Sequence, residues 1–220
     1  MKAMILAAGR GKRMEHLTNE CPKPLIQVKG KTLLEYQIER LVQAGVTEII
    51  INVAYLAEKI VETIGFGEKW GIKICYSHES SGGLETGGGV RQALPLLSDP
   101  FLVVNSDVWT NFDLSKFHHI DMSKSLAHVI LVNNPDHNNS GDYSICDQKF
   151  VLPEKNGISF TFAGISCFKK SLFESYEAGA YFRIPDALNS AIIKGLVSSE
   201  LHHCEWQDIG TPCRLEKVCR

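Results

Sequence analysis

The chain has 220 residues, of which 44% are hydrophobic and 22% are charged, as is usual for one globular domain with a sizeable core. A formal net charge of −2 gives no basic excess for a broad nucleic-acid or membrane surface, so any anion binding must be local. The apolar run at residues 4–8 is too short to span a membrane, and a basic glycine loop interrupts it where a signal peptide would stay apolar. We therefore expect a cytoplasmic protein that binds neither nucleic acid nor membrane.

Strand-like and helix-like segments alternate through the first half of the sequence. Thr32 and Glu35 have the spacing of a capping box, and Gly45 is a stop signal for the helix that follows. We predict strands at 2–7, 48–53, 72–76 and 101–105, with helices at 32–44, 57–64 and 86–97 between them. This order predicts an α/β fold with a Rossmann-like, doubly wound, mainly parallel but mixed sheet.

The second half is less regular. A helix at 114–119, a strand at 128–132, a polar stretch at 133–142, a helix at 184–194 and a strand-like segment at 197–206 are predicted there. Ligands of open α/β sheets bind beyond the carboxyl ends of the strands. The segments after residues 7, 76, 105 and 206 are therefore the ones in which to look for a site.

The loop after the first predicted strand alternates glycine with cations. Gly9 and Gly11 permit close backbone approach to an anion, and Arg10, Lys12 and Arg13 could neutralise it. The loop matches neither a Walker sequence nor a dinucleotide fingerprint. A phosphate cradle and a plain turn with solvated cations both remain open on spacing alone.

Lys23 lies between Pro22 and Pro24. Pro24 restricts Lys23 towards extended conformations, which would aim its ammonium with little backbone entropy left to lose. Such a lysine suits a specific charged partner. An ordinary lysine on an exposed loop is the alternative.

Two aspartates follow strand-like segments, Asp107 after residues 101–105 and Asp208 after 204–206. A carboxylate at that edge of a sheet can hold Mg²⁺, which takes one or two carboxylates plus substrate phosphates. A helix cap or turn is the alternative for each aspartate taken alone.

The stretch at 80–89 contains five glycines and leads into a helix, so its backbone can approach a base or a phosphate; a flexible surface loop is the alternative. The sequence contains no GxSxG elbow and no HExxH motif. Cations, carboxylates and glycines without an evident nucleophile and base suit phosphoryl or nucleotidyl transfer.

Together, LAAGRGKRM, PKPLI, LETGGG, NSDVW and WQDIGT resemble, in order, the motifs of the sugar-phosphate nucleotidyltransferase family. The resemblance implies one glycosyltransferase-A-like domain over 1–220, with a nucleotide-binding half at 1–112 and a sugar-binding half at 113–220. It implies that a sugar 1-phosphate attacks the α-phosphorus of a nucleoside triphosphate while pyrophosphate leaves. The segments LETGGG, NSDVWTNFD, VNNPDHNNSGDY and TFAGIS favour UTP as the triphosphate.

The resemblance also implies roles for individual residues. The catalytic set would be Arg13, Lys23 and Asp107, with Mg²⁺ as the cofactor held by Asp107 and Asp208. Asp142 and Gly164 would bind the sugar. The nucleotide would be bound by residues of four segments: Leu6, Ala8, Gly9, Gly11, Lys12, Arg13, Lys23, Gly83, Leu84, Thr86 and Asn105.

Three functions remain open from the sequence. The first is a uridylyltransferase, the second a guanylyl- or thymidylyltransferase acting on a hexose 1-phosphate, and the third a catalytically silent nucleotide-sugar-binding module. The intact set of Arg13, Lys23, Asp107 and Asp208 argues against the third. A homo-oligomer is compatible with the sequence, which does not determine the oligomeric state.

Overall fold

The computed structural model describes residues 1–80, 82–146, 149–152, 158–203 and 205–219. Its helices are α1 Leu33–Gln43, α2 Ala57–Ile64, α3 Glu85–Ala93, α4 Ile184–Ile193 and α5 Pro212–Cys219. Its strands are β1 Lys2–Leu6, β2 Gln27–Val28, β3 Lys31–Thr32, β4 Glu48–Val53, β5 Lys73–His78, β6 Phe101–Asn105, β7 Val108–Thr110, β8 Ala127–Val132, β9 Tyr143–Cys146, β10 Lys149–Val151, β11 Ser159–Phe168, β12 Val197–His202 and β13 Trp206–Asp208.

Within the described ranges, nine strands form the central sheet, in the order β10-β9-β11-β6-β1-β4-β5, with β8 paired to β11 and β12. The pairs β6-β1, β1-β4 and β4-β5 are parallel, and β11 is antiparallel to β6, β8 and β9. The strands of this sheet from the first half of the chain thus pair in parallel with one another, and those from the second half pair mostly antiparallel. The predicted Rossmann-like mixed sheet is confirmed.

Most predicted elements are present with small shifts of their ends. The capping box is formed, since Glu35 N donates to Thr32 Oγ1 at 3.1 Å and Thr32 N donates to the Glu35 carboxylate at 2.8 Å. β4, β6 and α2 have the predicted bounds. The predicted helix at 86–97 ends earlier, at Ala93, and continues as a 3₁₀ turn that contains Pro95. The segment at 114–119 is likewise a 3₁₀ helix rather than an α-helix.

The predicted strand at 197–206 is wrong as one element. β12 pairs in parallel with β8 in the central sheet, whereas β13 pairs antiparallel with β7 in a separate two-stranded ribbon. The chain must therefore leave one sheet before it enters the other. Cys204, which the prediction included, lies outside the described residues.

Two apolar layers cover the faces of the sheet. In β1, Ala3 and Ile5 contact the layer that contains Leu34 and Ile38 of α1, whereas Met4 packs in the layer on the opposite face, with α3 and α4. This alternation follows from the two-residue period of a strand. β1 is thereby buried at the centre of the molecule, and its carboxyl end opens towards the candidate site. Of the helices described, none is long and apolar enough to cross a membrane.

Candidate functional site

The glycine loop follows β1 directly. Gly11 has φ +67°, in the left-handed region that favours glycine, and it precedes a 3₁₀ segment at Lys12–Thr18 that is kinked at Glu15. Its carbonyl accepts hydrogen bonds from Met14 N at 2.8 Å and from Thr18 Oγ1 at 3.1 Å, which hold the turn in place. The cationic side chains of the loop, Arg10, Lys12 and Arg13, are exposed. The loop therefore presents positive charge at the strand end.

Lys23 packs against this loop. A Cβ built on Gly11 would lie 2.9 Å from Lys23 Cβ, so only glycine leaves space for the lysine stem. The extended conformation predicted for Lys23 is wrong: Pro22 is extended, with ψ 141°, and Lys23 begins a short 3₁₀ helix at Lys23–Leu25. Pro24 is compatible with this helix because the second helical position needs no N–H donor.

The ammonium of Lys23 forms an ion pair with Oδ2 of Asp107. Both side chains are largely buried, with 12% of the lysine side chain and 20% of the aspartate side chain exposed. Asp107 follows β6, as the sequence predicts, and it precedes β7, a strand that the sequence analysis did not predict. The structure thus brings together a lysine and an aspartate that lie 84 positions apart.

Asp208 reaches the same edge from the neighbouring strand. In the antiparallel ribbon it lies opposite Val108, and Ile209 N donates to Asp107 O at 2.8 Å. Of the two aspartates predicted to hold a metal, Asp208 therefore ends β13 and Asp107 immediately precedes β7, the strand paired with it. Asp208 ends β13 rather than following it, which corrects the predicted local structure.

Arg214 and His137 are two residues at this site that the sequence analysis did not single out. Arg214 Nη1 donates to Asp208 Oδ1 at 2.7 Å, and His137 Nε2 lies 2.9 Å from the same oxygen. Arg214 is 8% exposed, and Gly210 is the residue that makes room for it, since a Cβ there would lie 2.3 Å from Arg214 Nη2. His137 belongs to the polar stretch at 133–142, but nothing in the spacing indicates that it reaches Asp208.

These contacts leave part of each carboxylate available. Within the described ranges, hydrogen bonds and ion pairs involve Oδ1 of Asp208 and Oδ2 of Asp107, and the other oxygen of each has no assigned donor. No group of three or more histidine, cysteine or acidic side chains that could hold a metal occurs among the described residues. Two carboxylates do fit Mg²⁺, provided that substrate phosphates and water complete its coordination.

In the stretch at 80–89, which is predicted to bind the base, few of the described backbone groups lack a hydrogen-bond partner. Gly83 N donates to Ser80 O at 2.8 Å, and Leu84 N donates to Glu79 Oε2 at 2.7 Å. The Leu84 carbonyl accepts from Phe182 N at 3.3 Å. In contrast, none of the described residues donates a hydrogen bond to the Gly83 carbonyl. Ser81, within the same predicted stretch, lies outside the described residues.

The side chain of Thr86 is engaged in a hydrogen bond within the protein. Its hydroxyl oxygen accepts from Ile184 N at 2.9 Å, at the start of α4. The glycines that follow it serve packing: a Cβ on Gly87 would lie 2.5 Å from the Phe182 ring, and one on Gly88 would lie 2.2 Å from Ala180 O. Their absent side chains let α3 approach the segment before α4.

The predicted sugar residues lie in the second half of the chain. Asp142 Oδ2 accepts from Phe162 N at 2.9 Å, and Asp142 Oδ1 accepts from Asn138 Nδ2 at 3.1 Å, so the carboxylate fastens its loop to β11. Gly164 has φ +71° in the irregular part of β11. A Cβ there would lie 2.6 Å from Asn105 Nδ2, which places Gly164 directly against the end of β6.

The geometry defines a class of protein. A mixed Rossmann-like sheet whose strand ends carry a cationic glycine loop, a lysine and two aspartates is suited to transfer between phosphorylated substrates. The sequence profile of the family described as "Nucleotidyl transferase" matches residues 2–219. The chain therefore belongs to the nucleotidyl transferase family.

Individual relatives agree with this assignment. The chain is 46% identical over 225 residues to N-acetylmuramate alpha-1-phosphate uridylyltransferase of Neisseria meningitidis serogroup B, covering 99% of this chain and 96% of that protein. It is 31% identical to mannose-1-phosphate guanyltransferase of Gibberella zeae, covering 96% of this chain but only 61% of that longer relative. The crystal structure described as a glucose-1-phosphate thymidylyltransferase from Bacillus anthracis superposes with a TM-score of 0.88 at 21% identity, covering 100% of this chain and 94% of the other, and it supports the fold.

Proposed function

We propose that this protein is a uridylyltransferase that joins UTP and N-acetylmuramate α-1-phosphate into UDP-N-acetylmuramate and pyrophosphate. The observation that carries the proposal is the 46% identity to a relative of that name over nearly the full length of both chains. The product is a cell-wall sugar nucleotide, so we place the activity in cell-wall recycling. We place it in the cytoplasm, where nucleoside triphosphates are available.

The proposed mechanism needs no general base. A phosphate monoester has a second pKa of about 6, so the sugar phosphate is already largely dianionic at neutral pH. The remaining obstacle is repulsion between two polyanions. The exposed cations of the glycine loop would offset this repulsion, and Arg13 would neutralise the leaving pyrophosphate.

Lys23 would act at the reacting phosphates. Its ammonium pairs with Asp107, and its stem is confined by Gly11, so it lies between the glycine loop and Asp107. We propose that it contacts the α-phosphate and the phosphate of the sugar. Asp107 and Asp208 would hold Mg²⁺, which supplies Lewis-acid stabilisation of charge on phosphate oxygens when bound.

For the base, we propose that the Gly83 carbonyl reads the ring N–H of uracil. It is the one carbonyl of the pair Gly83 and Leu84 to which no donor is assigned in the described part of the chain. Leu84 would contribute its side chain rather than its backbone. Thr86 would support the loop through Ile184, and Leu6, Ala8 and Asn105 would line the site at the ends of β1 and β6.

For the sugar, we propose that Gly164 leaves room for the ring beside Asn105. Because both oxygens of Asp142 already accept hydrogen bonds from its own loop and β11, it would meet sugar hydroxyls only through lone pairs that remain. His137 lies in the same loop and contacts Asp208. The loop that contains His137 and Asp142 would therefore connect the sugar to Asp208, one of the two proposed metal ligands.

Pyrophosphate release over a grid of substrates tests the proposal. UTP, dTTP, GTP and CTP are each combined with muramyl, glucosaminyl, glucosyl and mannosyl 1-phosphates. We expect the highest kcat/KM with UTP and N-acetylmuramate 1-phosphate. A preference for GTP with mannose 1-phosphate, or for glucose 1-phosphate with dTTP or UTP, would establish the alternative transferases, and silence across the grid would establish the non-catalytic module.

A further inference from the structure

A buried polar pair lies beneath the two loops assigned to the nucleotide. Asn52 is in β4 and is 3% exposed; Glu79 follows β5 and is 9% exposed. Asn52 Oδ1 accepts from Ala7 N at 2.8 Å, where β1 ends and the glycine loop starts. Because that oxygen must face Ala7, the amide group of Asn52 has only one orientation available, with Nδ2 turned towards Glu79.

Glu79 completes the connection to the second loop. Asn52 Nδ2 donates to Glu79 Oε1 at 2.6 Å, and Leu84 N donates to Glu79 Oε2 at 2.7 Å. Both oxygens must therefore accept, which a carboxylate can do and a glutamine amide cannot. Among the described lysines and arginines, none forms an ion pair with Glu79. Burial raises the pKa of Glu79, and the two hydrogen bonds oppose that rise.

The pair is confined by α3. A Cβ on Gly89 would lie 2.4 Å from Glu79 Oε1 and 2.8 Å from Asn52 Nδ2. Any other residue at position 89 would push the pair out of place. Neither Asn52 nor Glu79 belongs to the motifs of the sequence analysis, so the site described above leaves them without a role.

We infer that Asn52 and Glu79 are positioning residues that join the glycine loop after Ala7 to the predicted base-binding loop at Leu84. The two parts of the proposed nucleotide site would then move as one unit. Neither side chain needs to contact the nucleotide. The inference rests on the proposed function for the identity of the ligand. The coupling of the two loops does not, since it can be measured without ligand.

The donor and acceptor pattern allows a reciprocal test. Glu79→Gln places an amide donor against either Asn52 Nδ2 or Leu84 N, and Asn52→Asp places two carboxylates against each other. In the double variant, the new aspartate accepts from Ala7 N and from the new glutamine, whose oxygen accepts from Leu84 N. The double variant therefore restores the pattern with the charge moved to position 52.

Amide hydrogen exchange of the unliganded protein is the first readout. We expect each single substitution to speed exchange at both Ala7 N and Leu84 N by at least about 10-fold, because Glu79→Gln leaves a buried donor without an acceptor and Asn52→Asp sets two buried carboxylates against each other. The double variant should return both amides to within about 3-fold of wild type. Glu68→Gln is the control, since it neutralises an exposed carboxylate that accepts from Phe66 N away from the loops.

Nucleotide affinity by calorimetry is the second readout. At a temperature where circular dichroism shows every variant folded, we expect the single substitutions to weaken UTP binding by about 10-fold or more and the double variant to recover it. If one of these single substitutions prevents folding, Asn52→Ser is a milder substitution that removes the amide hydrogen bonds without adding a charge. Exchange that changes only at the amide nearest the substitution, or unchanged UTP affinity in both single variants, would overturn the inference. If the wild type binds another triphosphate instead, the proposed function fails, while the exchange results still decide the coupling.

Discussion

Gly11 and Lys23 are in direct contact, with the Cβ position of Gly11 only 2.9 Å from Lys23 Cβ. This contact connects the first two motifs of the sequence, since Gly11 precedes the 3₁₀ segment at Lys12–Thr18 and Lys23 follows it. The glycine therefore has two functions: it adopts a left-handed turn, and it leaves space for the lysine that pairs with Asp107. Substitution at Gly11 should affect the site through both.

Gly11→Ala should lower kcat/KM by at least about 10-fold, because the new methyl group displaces Lys23 in addition to straining the turn by roughly 1–2 kcal/mol. Gly195→Ala is a matched control: Gly195 has φ +69°, against +67° for Gly11, but no described atom within 4 Å of its Cβ position. Thermal unfolding should show the strain of the turn in both variants and a further loss of stability in Gly11→Ala, which displaces Lys23. Equal turnover in the two variants would contradict the role given to the contact.

Asp107→Asn and Asp208→Asn should each lower Mg²⁺-dependent kcat by about 10²–10³-fold, equivalent to about 3 to 4 kcal/mol of transition-state stabilisation. The fold should persist, because an asparagine oxygen can still accept from Lys23 or from Arg214. Steady-state pyrophosphate release and circular dichroism measure the two effects. Asp113→Asn, at an exposed cap where asparagine also serves, should retain activity. Near-normal turnover in either site variant would refute the metal assignment.

Arg214→Gln should weaken binding of Mn²⁺, used as a probe in place of Mg²⁺, by about 10- to 100-fold in the presence of UTP. The reason is that Asp208 would lose the buried guanidinium that orients it. Free Mn²⁺ can be counted by electron paramagnetic resonance. Lys217→Gln removes a charge from an exposed position of the same helix and should bind Mn²⁺ as the wild type does. Tighter binding by Arg214→Gln would mean that the arginine competes with the metal instead.

His128 should make stability depend on pH. Burial against Phe117 and β12 lowers its pKa below the usual 6.5, and Nε2 has no hydrogen-bond partner in the described structure. The unfolded chain therefore takes up a proton at a higher pH than the folded chain does. The unfolding free energy should fall as pH decreases below about 6.5, by at most about 1.4 kcal/mol per pH unit for this one group. Urea titrations of wild type and His128→Phe from pH 7.5 to 5 should show a shallower slope in the variant, and parallel slopes would contradict the assignment.

The sequence predicts the elements that depend on local chemistry. The capping box of Thr32 and Glu35 and the β-branched run of β4 are formed with the predicted bounds or close to them, because caps and hydrophobic periods act within a few residues. Predictions fail where pairing with distant strands decides the outcome. The strand at 197–206 divides because β8 and β7 belong to different sheets.

The candidate site divides in the same way. By itself, the sequence predicted the cationic glycine loop, Lys23 and the two aspartates as candidate site residues, because glycines, prolines and charges near strand ends indicate their chemistry locally. Only the tertiary structure decided that Arg214 and His137 share one oxygen of Asp208 and that Asn52 and Glu79 connect the loop after β1 with the loop before α3. These contacts join residues far apart in the chain, and their geometry comes from the register of the strands. The tertiary structure also decided that Thr86 contacts the start of α4 and that Gly87 and Gly88 pack against the segment before it, because close packing of two backbones cannot be read from composition.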